Sequence, residues 1–159
     1  MTDPHVAAAL LDHAGIAARV PHSGSMCLLD SLLAWSSERI ECSAISHRDP
    51  GNPLRTQGQL LAVNAIEYAA QAMALHGGLC APAGAEPTPG FLASVRSVTC
   101  HVPRLDRAEG PLRVLATRLA GDAAQALYQF QLQDEQGHML VEGRATVVLN
   151  ALPRSGPSS

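Results

Sequence analysis

Between Leu60 and Leu79 lies the one long helical pattern of this chain, and the strand-like stretches that follow it have no second helix to cover them. Val63, Ile66, Ala70, Met73 and Gly77 recur at helical spacing without an internal proline, and Gly77-Gly78 predicts the stop. After a Pro/Ala/Gly loop over Cys80–Pro89 come four strand-like stretches, Phe91–Val102, Leu112–Leu119, Ala126–Gln133 and His138–Leu149. Turn residues at Asp106–Gly110, Gly121-Asp122 and Asp134–Gly137 separate them. Period-two alternation is clearest in Tyr128, Phe130, Leu132 and in Val141, Gly143, Ala145, Val147. Strands gathered after one apolar helix predict an α+β architecture, an antiparallel meander wrapped around a long central helix. The alanines of that helix let strands approach closely. Long edge strands need cover, and sheet-to-sheet dimerisation supplies it.

The first third is consistent with this plan. Val6, Leu10, Leu11 and Ile16 predict a short helix over His5–Ala18 that ends near Gly15, and Pro21-His22-Ser23-Gly24 then breaks the chain. Met26–Trp35 reads as a buried strand, Ser36–Glu38 as a turn, and Arg39–Ser46 as its hairpin partner. His47–Gln59 contains Pro50, Gly51, Pro53 and Gly58 and is expected to be a loop. With no linker or repeat, residues 1–150 form a single expected domain, and the Pro/Ser/Gly-rich residues 151–159 an expected disordered tail.

Composition narrows function. With 159 residues, 47 % of them apolar, the chain suffices for one real core, and 3 % aromatics mean that Ala, Leu and Val must build it. A net charge of −3 offers no footprint for nucleic acid. All eleven basic residues are arginines, so mechanisms that need a lysine amine are closed, including Schiff bases, Walker A loops and Ser–Lys pairs. A Gly-x-Ser-x-Gly elbow is also missing. Cys27, Cys42, Cys80 and Cys100 are too scattered for a zinc or redox motif and are expected to be free and mostly buried. No apolar run is long enough for a membrane span, and the start Met1-Thr2-Asp3-Pro4-His5 lacks a signal's basic residues, which predicts a cytoplasmic protein.

Two polar residues stand out by setting. His47 sits where a strand meets an irregular loop, and Glu67 lies inside the apolar helix beside Ala65, Ile66, Ala69 and Ala70. A carboxylate buried there must be paired, protonated or placed in a cavity. A structural role, as helix-surface charge or buried hydrogen bond, accounts for Glu67 as well as catalysis does, and the same holds for a lone histidine.

The surrounding residues resemble a known family. Ser46-His47-Arg48-Asp49-Pro50-Gly51-Asn52-Pro53 followed by Val63-Asn64-Ala65-Ile66-Glu67-Tyr68-Ala69-Ala70-Gln71-Ala72 resembles the bacterial 3-hydroxyacyl-ACP dehydratases of the FabA/FabZ type. Val20-Pro21-His22 and Met26-Cys27-Leu28-Leu29-Asp30 extend the likeness, which runs from about Ile16 to Leu149. The variant is most similar to the dehydratases of aryl-polyene clusters. The chain departs from the ordinary fatty-acid enzymes in a longer His47–Glu67 interval, in Leu61-Ala62 where they carry Pro-Gly, and in Ser46 where they carry Gly.

The resemblance implies the hotdog fold and loss of water from a 3-hydroxyacyl thioester carried on the phosphopantetheine of an acyl carrier protein, with no further cofactor and no metal. It also implies a dimer, homo- or heteromeric, in which His and Glu of one site come from opposite subunits. A neutral imidazole suits removal of the α-proton, so His47 is the expected base. A carboxyl kept protonated by apolar surroundings suits protonation of the leaving hydroxyl, so Glu67 is the expected acid. Backbone N–H groups near Ala62 and Val63 are expected to stabilise the thioester oxygen, and Gln71, one turn on, to orient Glu67. Arg96, Arg104 and Arg107 are either a carrier-protein contact or a solvated face, and His22 is assigned to structure. Other readings are a hotdog thioesterase, a non-catalytic subunit of a mixed dimer, and a metal site of His47, His76 and His101, which lacks ligand spacing.

Overall fold

The Ala-rich pattern forms a helix, α2 (Ala65–Cys80), entered through a 3-10 turn at Ala62–Asn64. In this computed structural model, which describes residues 9–20, 24–81 and 90–148, the other elements are α1 (His13–Ala17), β1 (Ser31–Trp35), β2 (Arg39–Ala44), β3 (Phe91–Cys100), β4 (Leu112–Gly121), β5 (Gln125–Gln133) and β6 (Met139–Val148). Six antiparallel strands make one sheet in the order β1-β2-β4-β5-β6-β3.

The expected sheet around one long helix is present, but its path is not a simple meander. Strand β3 follows the helix yet pairs with β6 at the far edge, so α2 carries the chain across the sheet before β4 begins. The helix packs on β2, β4 and β5 through Ala65, Tyr68, Ala69, Ala72 and Leu75, all without exposed surface. Opposite them lie Leu112, Val114 and Ala116 of β4, Tyr128, Phe130 and Leu132 of β5, and Val141 and Ala145 of β6. The predicted stripe of Val63, Ile66, Ala70 and Gly77 points the other way: Val63 and Gly77 are exposed, Ile66 and Ala70 half-buried, and only Met73 is buried. Apolar residues surround α2 on every side, so periodicity alone could not choose its inner face. The helix also runs through Gly77-Gly78 to Cys80.

Two further expectations are corrected. The first helix is α1, with Asp12 accepting from the Gly15 amide at its start, so Gly15 lies inside the helix rather than at its end. Residues 5–8 of the predicted helix, His22, most of the Cys80–Pro89 loop and the 151–159 tail lie outside the described residues. The strand expected from Met26 begins only at Ser31. Cys27, Leu28 and Leu29 are buried as predicted, yet Cys27 N–H closes a turn onto Gly24 C=O, and the Leu28 and Leu29 carbonyls are met by side chains instead of a neighbouring strand. Gln71 accepts from Leu28 N–H at 2.8 Å and donates to Met26 C=O at 2.6 Å, while Ser46 donates to Leu28 C=O and His13 to Leu29 C=O. All four cysteines are free; Cys27 and Cys42 are buried, but Cys80 and Cys100 are exposed. No helix among the described residues is long and apolar enough to cross a membrane.

Candidate active site

Strand β2 ends at Ala44, and the chain turns through a 3-10 turn, Ser46–Arg48, that carries His47 inward with no exposed surface. Nε2 of His47 lies 3.0 Å from the Ala108 carbonyl. A carbonyl only accepts, so Nε2 carries the proton and Nδ1 is the bare nitrogen. That Nδ1 is buried without a hydrogen-bond partner. Burial lowers the His47 pKa and, with Arg48 and Arg55 nearby, outweighs the carbonyl contacts that raise it. His47 is therefore a neutral imidazole with an unoccupied lone pair.

The turn is tied to α2 by a directed chain of hydrogen bonds. Ser46 donates its hydroxyl proton to Leu28 C=O at 2.9 Å, so its oxygen accepts from Tyr68 at 2.8 Å. Tyr68 in turn accepts from Asn52 at 3.1 Å, and Asn52 also donates to Ser46 C=O. Burial raises the Tyr68 pKa, which keeps the phenol a proton donor. Tyr68 and Asn52 stand in the motifs around His47 and Glu67 without an assigned role, because their partners lie far off in sequence. Ser46 was visible only as a departure from Gly, and its hydroxyl is what that departure adds.

Glu67 lies in the first turn of α2 and is half-buried on the outward side with Ile66 and Ala70. Within one chain, no hydrogen bond or ion pair among the described residues joins it to His47, whose contacts are turned toward Ala108. Gln71 does not orient Glu67, because both ends of its buried amide are engaged by Met26 and Leu28. The Ala62 N–H donates to Pro103 C=O and is not available to a substrate oxygen. Val63 is exposed, and its N–H meets no acceptor among the described residues. Of the three arginines suggested for a carrier contact, Arg104 is bound to Asp106 at 2.5 Å, while Arg96 faces Arg144 across the β3–β6 pair.

His47 lines neither of two clefts in the single chain: one of about 460 Å³ lies beside Arg96 and Arg144, the other, of about 550 Å³, is lined by Cys27, Leu28, Ser46 and Arg48 and so runs past the turn that carries His47. His76 is held by Tyr128 and Ser36, and His101 by Glu142. No group of three or more His, Cys, Asp or Glu suited to a metal gathers among the described residues.

One antiparallel sheet laid over one long helix, with an imidazole in the turn after the second strand and a carboxyl in the helix's first turn, defines a hotdog-fold protein. The chain belongs to the ApeP-like family, described as ApeP dehydratase, whose profile matches residues 14–154. It is similar to the dehydratase heterocomplex ApeI:P from Xenorhabdus doucetiae, at 25 % identity over 84 % of this chain and 90 % of that one, with a TM-score of 0.71. A thioesterase from Haemophilus influenzae shares the fold at 18 % identity, 79 % and 82 % coverage and a TM-score of 0.59. A mutant thioesterase from Pseudomonas aeruginosa does so at 14 % identity, 91 % and 97 % coverage and a TM-score of 0.63. No curated protein matches the chain in sequence.

Proposed function

We propose that this chain takes part in removing water from a 3-hydroxyacyl thioester, carried by an acyl carrier protein, to give a trans-2-enoyl thioester of the aryl-polyene or fatty-acid type. The bare, buried Nδ1 of His47 carries this reading. It belongs to a neutral imidazole whose ring is aimed by the Ala108 carbonyl. In the reaction Nδ1 takes the α-proton, charge builds on the thioester oxygen, and the Val63 N–H donates to that oxygen. The carbon–carbon double bond then forms as the hydroxyl leaves, protonated by Glu67, so that one water departs.

Glu67 faces outward among apolar neighbours, and His47 is buried with no bond to Glu67 in the single chain, so the reading calls for a second hotdog subunit. The ApeI:P relative is a heterocomplex. By analogy, this chain pairs with a second, non-identical hotdog chain, and each site takes one group from each subunit.

The test is the chain alone and the chain with a co-encoded hotdog partner, each given a 3-hydroxyacyl carrier protein and followed by mass spectrometry. Loss of water with the thioester intact is the expected product, and release of the free acid would make the protein a thioesterase instead. His47→Asn and Glu67→Gln should each keep the fold and lower turnover by about 10²–10⁴. Near-normal turnover in His47→Asn would overturn the assignment.

A further inference from the structure

Behind His47 lies a cluster of charges that the proposed chemistry does not use. Arg55, in the loop after His47, donates from one guanidinium nitrogen to His47 C=O at 3.1 Å and from another to Gly58 C=O at 2.7 Å. Its side chain is 15 % exposed and lies 4.0 Å from Asp106, which is 8 % exposed. Asp106 also binds Arg104 through both oxygens and accepts from Leu60 N–H at 3.0 Å, just ahead of the turn that starts α2. Two residues beyond Asp106 is Ala108, whose carbonyl holds the His47 ring, and whose own N–H is tied to Leu105 C=O. The Arg55 Nε–H is buried without an acceptor, so Arg55 is kept there despite an unmet donor.

We infer that Arg55, anchored by Asp106, is a positioning residue for His47: one ion-paired cluster fixes the backbone of His47 through Arg55 and its ring through the segment that carries Ala108. The proposal rests on His47 being the base. Arg55 has a second effect, because its charge beside the ring disfavours the imidazolium. The charged groups bearing on His47 are Arg48 of its own turn and Arg55 of the next loop; Asp106, on the facing segment, is engaged by Arg104 and Arg55. Removing the Arg55 charge leaves burial and Arg48 to hold the pKa of His47 down, so it rises part of the way toward its ordinary value.

The experiment is an imidazole nitrogen NMR titration of the full chain, with His47→Gln identifying the signal, alongside turnover of the assembled enzyme against pH. In the wild type the His47 signal should show a proton on Nε2 and titrate below the ordinary histidine range. In Arg55→Gln it should titrate at higher pH and show mixed tautomers. The acid limb of turnover should move up with it, and kcat should fall by about 10²-fold, as for a misplaced reacting group. Arg55→Lys keeps the charge and should leave the acid limb where it is while recovering part of kcat. An unchanged His47 titration and tautomer in a folded Arg55→Gln chain would overturn the positioning role. If the NMR shifts appear but the wild-type assembly removes no water, the proposed reaction fails and the positioning role stands.

Discussion

At the scale of single residues, two enclosed histidines make the useful contrast. His76 is satisfied at both ends: Nε2 donates to Ser36 C=O at 2.8 Å, and Nδ1 accepts from the Tyr128 hydroxyl at 2.7 Å. His47 is likewise buried and its pKa likewise lowered by burial, but its Nδ1 has no hydrogen-bond partner among the described residues. The first is architecture, the second the base of the proposed reaction, a difference that exists only in three dimensions. Both leave a mark on stability. Each binds its proton less readily folded than unfolded, so the unfolded chain gains protons first as pH falls below about 6.5. Stability should therefore be full above that value and drop as pH falls toward the lowered folded values, by at most about 1.4 kcal/mol per pH unit for each histidine. Urea unfolding between pH 7 and 5 checks this. His76→Gln should flatten the slope, and a slope unaltered by the substitution would remove His76 from the account.

At the scale of elements, close approach decides what the sheet tolerates. Gly143 on β6 lies opposite Phe130 of β5, and a Cβ there would come 2.8 Å from the Phe130 ring and 3.0 Å from Val98. Phe130 has no exposed surface into which to move. Gly143→Ala should thus cost about 1–3 kcal/mol through overpacking, read as a lower denaturation midpoint at an unchanged slope. A loss below about 0.5 kcal/mol would mean that the ring shifts freely. Strands with strict alternation, such as Tyr128-Gln129-Phe130-Gln131-Leu132, were legible in the sequence to within a residue, because period two leaves one way to bury them. Met26–Asp30 was not, since Met26, Leu28 and Leu29 bond to the side chains of Gln71, Ser46 and His13, which the local pattern does not reveal. The same limit applied to the site: His47 was legible through its turn, whereas Arg55, Asp106 and Tyr68 matter through partners that only the folded chain brings to them.

At the scale of the whole molecule, the sheet covers one side of the helix among the described residues. Its inner side is sealed by β2, β4 and β5, while Val63, Ile66, Glu67, Ala70 and Gly77 remain on the outer side, and β3 presents an edge with exposed Phe91 and Leu92. Alanines and glycines on that outer side would let a second helix or sheet edge come close, and Glu67 among them is the carboxyl the proposed reaction needs. An arginine placed there separates folding from assembly. Val63 is 54 % exposed, so Val63→Arg should alter the stability of the single chain by no more than about 0.5 kcal/mol. In a complex that buries the outer side of α2, the same charge has no partner and should weaken association by about 10²-fold or more. Sedimentation of the variant with its hotdog partner, compared with its thermal unfolding alone, distinguishes the two effects. Undiminished association would mean that the partner does not cover this face, and the shared site built on Glu67 would then have to be abandoned.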